Sequence, residues 1–268
     1  MKKIILLQII TAGFILAEPN MVVSIEPEAN IVQNIVKDNL GSLEVMVKKG
    51  QSPHTYEPKP SQMVSLSGAD LYFSVGVEFE NSWLPKFKAQ NRNLNIIDIS
   101  KGVEKIGGNP HIWLSPKSLK VMAENVSKAL IDFDENQSES YRANLKDYIE
   151  KLDNLDREIR ELLKGVERRA FLVFHPSWDY FARDYNLTQI AVEIDGKSPK
   201  PRDIIRVIKL AKKNGVSAII TQEEFSDRFA KIIANELNID VVKLSPLDRD
   251  ISKSLIQISK VIAKNGKE

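Results

Sequence analysis

The chain has 268 residues, 38 of them basic and 36 acidic for a net charge of +2, and 43% of its residues are hydrophobic. Without a single cysteine it can form neither disulfides nor thiolate metal sites, and it reads as a protein that is not a lipoprotein. The mixed, near-neutral charge gives no reason to expect nucleic-acid binding, and the length suits two domains or one large one.

At the N-terminus, Met1-Lys2-Lys3 precedes an apolar run that ends in a small residue, Ala17. The run falls short of the ~20 apolar residues of a membrane span. It reads as a signal peptide over 1–17 that exports the protein to the periplasm, with an uncleaved anchor as the competing reading. Ile15 stands where a small residue is usual, which leaves the cut itself open. Removal of 1–17 takes Lys2 and Lys3 with it and leaves 36 basic against 36 acidic residues.

Strand and helix patterns then alternate. Residues 21–25 predict a buried strand, 27–39 a helix begun by proline, and 43–47 a second strand. A helix follows over 61–69 with Ser61 as its expected N-cap, then a strand at 71–75, a helix near 79–88 and a strand at 95–99. Residues 116–133 repeat apolar side chains at helical spacing. From 134 to about 164 the chain lacks glycine and proline, and Leu145, Tyr148, Ile149, Leu152, Leu155, Ile159 and Leu162 mark one helical face. Such a helix would run roughly 45 Å, at ~1.5 Å per residue; a helical hairpin or coiled-coil arm is the alternative. Alternation resumes with strands at 171–174, 188–192, 218–221 and 240–244 and helices at 179–185, 201–214, 227–237 and 251–263. Gly215 stands where a helix C-terminal glycine belongs. The expected fold is α/β, with two parallel-sheet lobes (18–133 and 166–268) joined by a linking helix at 134–165.

There are only three histidines. Each lies in a short segment that also holds proline and an aromatic residue. The segments are Pro53-His54-Thr55-Tyr56-Glu57-Pro58, Asn109-Pro110-His111-Ile112-Trp113-Leu114-Ser115-Pro116 and Phe174-His175-Pro176-Ser177-Trp178-Asp179-Tyr180-Phe181. Imidazole is the commonest transition-metal ligand, and three of them suit zinc. His54 and His175 follow predicted strands, where parallel sheets bind ligands. His111 joins them if the long loop after the fourth strand returns to the same edge. Their wide separation means that any common site is assembled by tertiary structure, so spacing alone is weak evidence.

The three segments resemble the ligand motifs of the metal-binding receptors of bacterial ABC importers for zinc and manganese, a family that includes adhesin-type members. The resemblance runs from about Val22 to the C-terminus. It implies two lobes that move little, a metal held between them by His54, His111 and His175, and delivery to an ABC permease in the membrane. It also implies a protein that is not an enzyme and acts as a monomer.

Three positions depart from the family pattern. The second motif opens with Asn109 rather than aspartate, Gln222 stands where a glutamate is frequent, and Ser245 stands where many members supply an aspartate as fourth ligand. Water would then complete the site, or Asp248 if its loop shifts. Manganese receptors of the family typically use a carboxylate third and an aspartate fourth, whereas here the third ligand would be His175. Manganese favours oxygen ligands and imidazole suits zinc, so Zn²⁺ is the expected metal and Mn²⁺ the alternative. A three-histidine zinc hydrolase would also keep an open position for water, but no His-Glu-x-x-His motif is present. A secreted adhesin with an incidental metal site is a further alternative. Glu57 is open between supporting His54 and being a solvated acid. Tyr56, Trp113, Trp178 and Tyr180 are open between walling the site and packing the core.

Overall fold

The computed structural model describes residues 18–39, 41–193, 199–216, 218–223 and 227–266. The signal peptide expected over 1–17 lies outside them. Two sheets of four parallel strands each form the lobes. The first uses β1 (Asn20–Ile25), β2 (Ser42–Val47), β3 (Leu71–Ser74) and β4 (Asn95–Asp98) in the order β2-β1-β3-β4. The second uses β5 (Ala170–Val173), β6 (Thr188–Ala191), β7 (Ala218–Thr221) and β8 (Asp240–Lys243) in the order β6-β5-β7-β8. The two lobes therefore share one topology. Their inner strands are largely apolar because helices cover both faces of a parallel sheet; every residue of β3 and β7 is buried.

In the first lobe the helices are α1 (Glu26–Val36), α2 (Pro60–Ser67), α3 (Glu78–Gln90) and α4 (Pro116–Phe133). The helix expected to begin at a Ser61 cap begins one residue earlier. Pro60 takes the first helical position, where its missing N–H costs nothing, and Gln62 Oε1 accepts the Lys59 N–H at 3.0 Å. Helix α1 is also shorter than predicted and closes in a tight 3₁₀ turn over Lys37–Asn39, with Lys37 at φ 51°. A buried polar cluster sits at the carboxyl ends of β1 and β3. Glu80 accepts hydrogen bonds from Ser24 Oγ (2.5 Å), Val75 N (3.0 Å) and Gly76 N (2.8 Å). Gly76 makes that turn at φ +94°, a conformation that side chains rarely adopt. Nearby, the fully buried Glu28 accepts the Ile25 N–H at 2.8 Å through one oxygen.

The long helix forms as one piece, α5 (Ser138–Leu162), rather than a hairpin. Its 25 residues reach about 37 Å. It starts later than predicted because the Asp134 carboxylate takes the Asn136 N–H at 3.1 Å and tightens residues Glu135–Gln137 into a 3₁₀ turn. One face of α5 packs on α1 and α4 of the first lobe and on α9 (Ile251–Gly266) of the second. Tyr148, Leu152, Leu155 and Ile159 are buried there, as the periodicity required.

In the second lobe the period of two along each strand separates two cores. Phe171, Val173 and Ile220 face α6 (Asp179–Asp184), α9 and the first lobe, within one apolar cluster that runs through both lobes. Leu172, Phe174, Ile190 and Ile219 face the other way, under α7 (Pro201–Lys213) and α8 (Arg228–Leu237). Helix α7 ends on Gly215 at φ +61°, with Val216 N bonded to Ala211 O and Gly215 N to Lys212 O, the paired closure that glycine permits.

Candidate metal centre

All three histidines meet at the carboxyl edges of the two sheets. Each offers a ring nitrogen within 4.8 Å of the other two, so their donors converge on one point. The ring centroids of His54 and His111 lie 5.2 and 5.3 Å from that of His175. They line a cavity of about 20 Å³ with Ser52, Pro53, Gln222, Pro246 and Leu247. That is room for one ion or one water, and among the described residues no carboxylate lines it.

Each histidine is positioned by local chemistry. His54 sits in the loop after β2, His111 at the entry to a 3₁₀ turn (Ile112–Leu114) ahead of α4, and His175 two residues beyond β5. Each Nδ1 faces an oxygen: Glu78 Oε1 at 3.1 Å for His54, Asn109 Oδ1 at 2.7 Å for His111, and Glu193 Oε2 at 2.8 Å for His175. The Asn109 amide cannot be reversed, because its Nδ2 donates to Asp179 Oδ2 at 2.7 Å and to Pro176 O at 3.3 Å. With Nδ1 donating to an oxygen, the neutral imidazole keeps its lone pair on Nε2, the arrangement that orients metal-binding histidines.

The electrostatics differ around the cluster. The hydrogen bond to Glu78 raises the pKa of His54 above its ordinary value, against the opposing effect of partial burial. In turn Glu78 is held below its ordinary value: its own burial works against this, and the His54 hydrogen bond, a backbone hydrogen bond and the charges of His54 and His175 together outweigh it. His111 is pushed well below the usual histidine range by burial and by the neighbouring His175 and His54. It therefore stays neutral, ready to donate an electron pair.

Contacts across the lobes hold this geometry. Tyr180 OH donates to Asn109 O at 2.8 Å and accepts from Ile106 N at 3.0 Å, so the second lobe clamps the loop that carries His111. Trp113 lies tilted against His111, ring centroids 5.2 Å apart, and donates its indole N–H to Pro246 O at 2.7 Å. Both aromatics thus wall or brace the site as well as filling core. Asp248 does not join the cluster of donors; its carboxylate is taken by Lys49 at 3.0 Å and by Ser254 Oγ at 2.9 Å. Ser245 Oγ accepts the Leu247 N–H at 3.1 Å in the turn that presents Pro246 and Leu247 to the cavity. Glu57 is exposed, and the acid beside His54 is Glu78.

Sequence reasoning did not single out Glu78 or Glu193. Glu193 had a usable signal: it follows a strand end, as His175 does. The pairing of Val173 with Ala191 puts His175 and Glu193 two residues further along adjacent strands, and the pairing of Val173 with Ile220 puts Gln222 on the other side. Once the strand order is known, His175 lies between Glu193 and Gln222.

A three-imidazole cluster between two parallel-sheet lobes bridged by one long helix defines a metal-binding solute receptor. The family described as "zinc-uptake complex component A, periplasmic" matches residues 21–264. The manganese ABC transporter substrate-binding lipoprotein PsaA of Streptococcus anginosus is 31% identical over 235 residues, 80% of this chain and 75% of that protein. The high-affinity zinc uptake system protein ZnuA of Bacillus subtilis is 26% identical over 253 residues, 85% of this chain and 78% of its own. A crystal structure of ZnuA superimposes with a TM-score of 0.88 at 37% identity and covers 92% of this chain and 98% of that one. The chain belongs to this family of metal-binding receptors of ABC importers, which are extracytoplasmic, work with a membrane permease and are not enzymes.

Proposed function

We propose that this chain is a periplasmic zinc receptor, with His54, His111 and His175 as the metal ligands. The observation that carries the reading is the donor set. Three imidazoles converge, each with Nδ1 facing an oxygen, and among the described residues no carboxylate lines the cavity. Three nitrogens with bonds of ~2.0–2.1 Å and a water make an ordinary tetrahedral zinc site. Manganese would want oxygen donors and a higher coordination number. The departures from the family pattern at Gln222, which lines the cavity, and at Ser245, next to Pro246 in sequence, point the same way, because neither residue supplies the carboxylate that the resemblance leads one to expect.

Capture involves no bond-making chemistry on the ion. Zinc displaces the proton held at His54, whose pKa is raised by Glu78, and meets a His111 that is already neutral. Affinity therefore falls as the medium acidifies through the pKa of His54. The loaded receptor, a monomer exported by residues 1–17, docks on its permease and gives up the ion there. Residues 18–133 and 166–268 act as the two jaws, and 134–165 as the brace between them. The continuous apolar core and the Tyr180 and Trp113 bridges favour small adjustments at the cleft over wide opening.

The test is a competition titration of metal-stripped mature protein with Zn²⁺ and Mn²⁺, bound metal being quantified by mass spectrometry. One zinc per chain, retained against excess manganese, is expected, and Ser245→Asp should move the preference toward manganese. Retention of manganese against zinc would assign the chain to the manganese branch. Stoichiometric binding of neither would overturn the metal site.

A further inference from the structure

The outer face of the second lobe, formed by α7 and α8 and turned away from the metal centre, has an unusual surface. Ile205 and Ile232 are 56% and 47% exposed there, and Leu210 of α7 is 43% exposed, although Ile204, Val207 and Ile233 of the same helices pack on the core. Together with Ile208, Ile205 and Ile232 floor a shallow groove of about 730 Å³ between the two helices. Lys209 and Lys212 line the groove with Asn235 and Glu236, and Arg202, Arg206 and Lys213 on α7 and Lys231 on α8 are further exposed cations of the two helices. The acids nearby are few. Glu236 pairs with Lys212 at 3.6 Å, and Asp203 is taken up in capping the Lys200 N–H at 3.1 Å. The sequence as a whole balances 38 basic against 36 acidic residues, so this face concentrates positive charge that composition does not reveal.

We propose that the α7–α8 face is a docking surface for an anionic lipid bilayer, on which the receptor rests beside the membrane. Charge complementarity carries the choice of occupant. A row of lysines and arginines flanking exposed isoleucines on one side of a helix is the pattern of a segment that lies in a headgroup layer, cations on phosphates and aliphatic side chains at the acyl boundary. None of the described helices is long and apolar enough to cross a membrane, and with no cysteine the chain cannot hold a thioether-linked lipid. Weak, salt-sensitive adsorption would still keep the receptor near a membrane-embedded partner. The site is independent of the metal centre and of the function proposed for it.

Vesicle co-sedimentation of the mature full-length protein tests this, with phosphatidylcholine vesicles prepared with and without phosphatidylglycerol. Binding is expected only to the anionic vesicles and should fall as salt rises, because the attraction is screened. Arg206→Glu with Lys209→Glu should weaken it by about tenfold or more, and Ile205→Ser with Ile232→Ser should weaken it at high salt, where the apolar share dominates. Circular dichroism melting of each variant checks that the fold persists. Absence of wild-type binding to anionic vesicles overturns the proposal outright. So does equal binding by the charge-reversed variant, or binding to detergent-solubilised permease through this face without any binding to lipid.

Discussion

The two lobes are built on one plan, yet they contribute to the site unequally. Both sheets are parallel and share a strand order. The first lobe supplies His54 and His111 from long loops, each supported by a residue of that same lobe, Glu78 or Asn109. The second supplies His175 directly from a strand end, with Glu193 beside it on the neighbouring strand. His175 and Glu193 are thus fixed by sheet register, whereas the loop ligands depend on braces, and for His111 these come from the opposite lobe through Tyr180 and Asp179. Sheet register sets a strand-end ligand beside its partner, and a loop ligand needs braces brought from elsewhere.

The largest expected effect comes from removing ligands. His111→Ala and His175→Ala, at the two buried positions, should each weaken zinc binding by more than about 100-fold, since removing mere supporting partners costs 10–100-fold. His54→Ala, at the exposed rim, should cost less, because water can take its place. Isothermal titration with a competing chelator measures all three, and an equal loss at all three would erase the distinction between rim and interior.

Next come the partners themselves. Glu193→Gln and Glu78→Gln should each lower affinity by roughly 10–100-fold, with the larger loss at Glu193, whose carboxylate is buried with His175. The Glu78 variant should in addition shift the pH profile of zinc binding toward acid, because the hydrogen bond that raises the pKa of His54 is weakened. A profile that stays in place would separate Glu78 from proton competition at His54.

The smallest effect concerns stability in the first lobe. Burial, reinforced by the nearby Glu80, raises the pKa of Glu28 well above the carboxylate range. The folded chain then keeps a proton that the unfolded chain releases, so the stability this supplies is lost as pH rises from ~4.3 toward the folded value. Glu28→Gln keeps an acceptor for the Ile25 N–H and removes the charge. Its melting temperature should therefore exceed wild type by about 2–4 °C at alkaline pH, for ~1 kcal/mol, and match it in acid. Melts at two pH values decide it.

The histidine segments, the alternation of strands and helices and the long amphipathic helix were all legible in the sequence, because hydrophobic period and proline or glycine placement act locally. Exact starts were less so: Pro60 outcompetes Ser61 for the helix start, and Asp134 diverts the first turn ahead of α5. Glu57, three residues from an exposed His54, looked as good a partner as any, but the loop turns it to solvent and α3 delivers Glu78 instead.

What the sequence determined alone was the inventory: three imidazoles, no thiols and the elements that carry them. What only the tertiary structure decided was adjacency. Sheet register set Glu193 beside His175, the clamp by Tyr180 brought the His111 loop to the shared edge, and Asp248 was drawn away to Lys49 and Ser254. The basic outer face arose in the same way, from exposed residues of two helices that become neighbours only when both pack on the sheet. Local periodicity reaches a few residues along the chain, and a coordination sphere or a charged face gathers residues that are far apart along it.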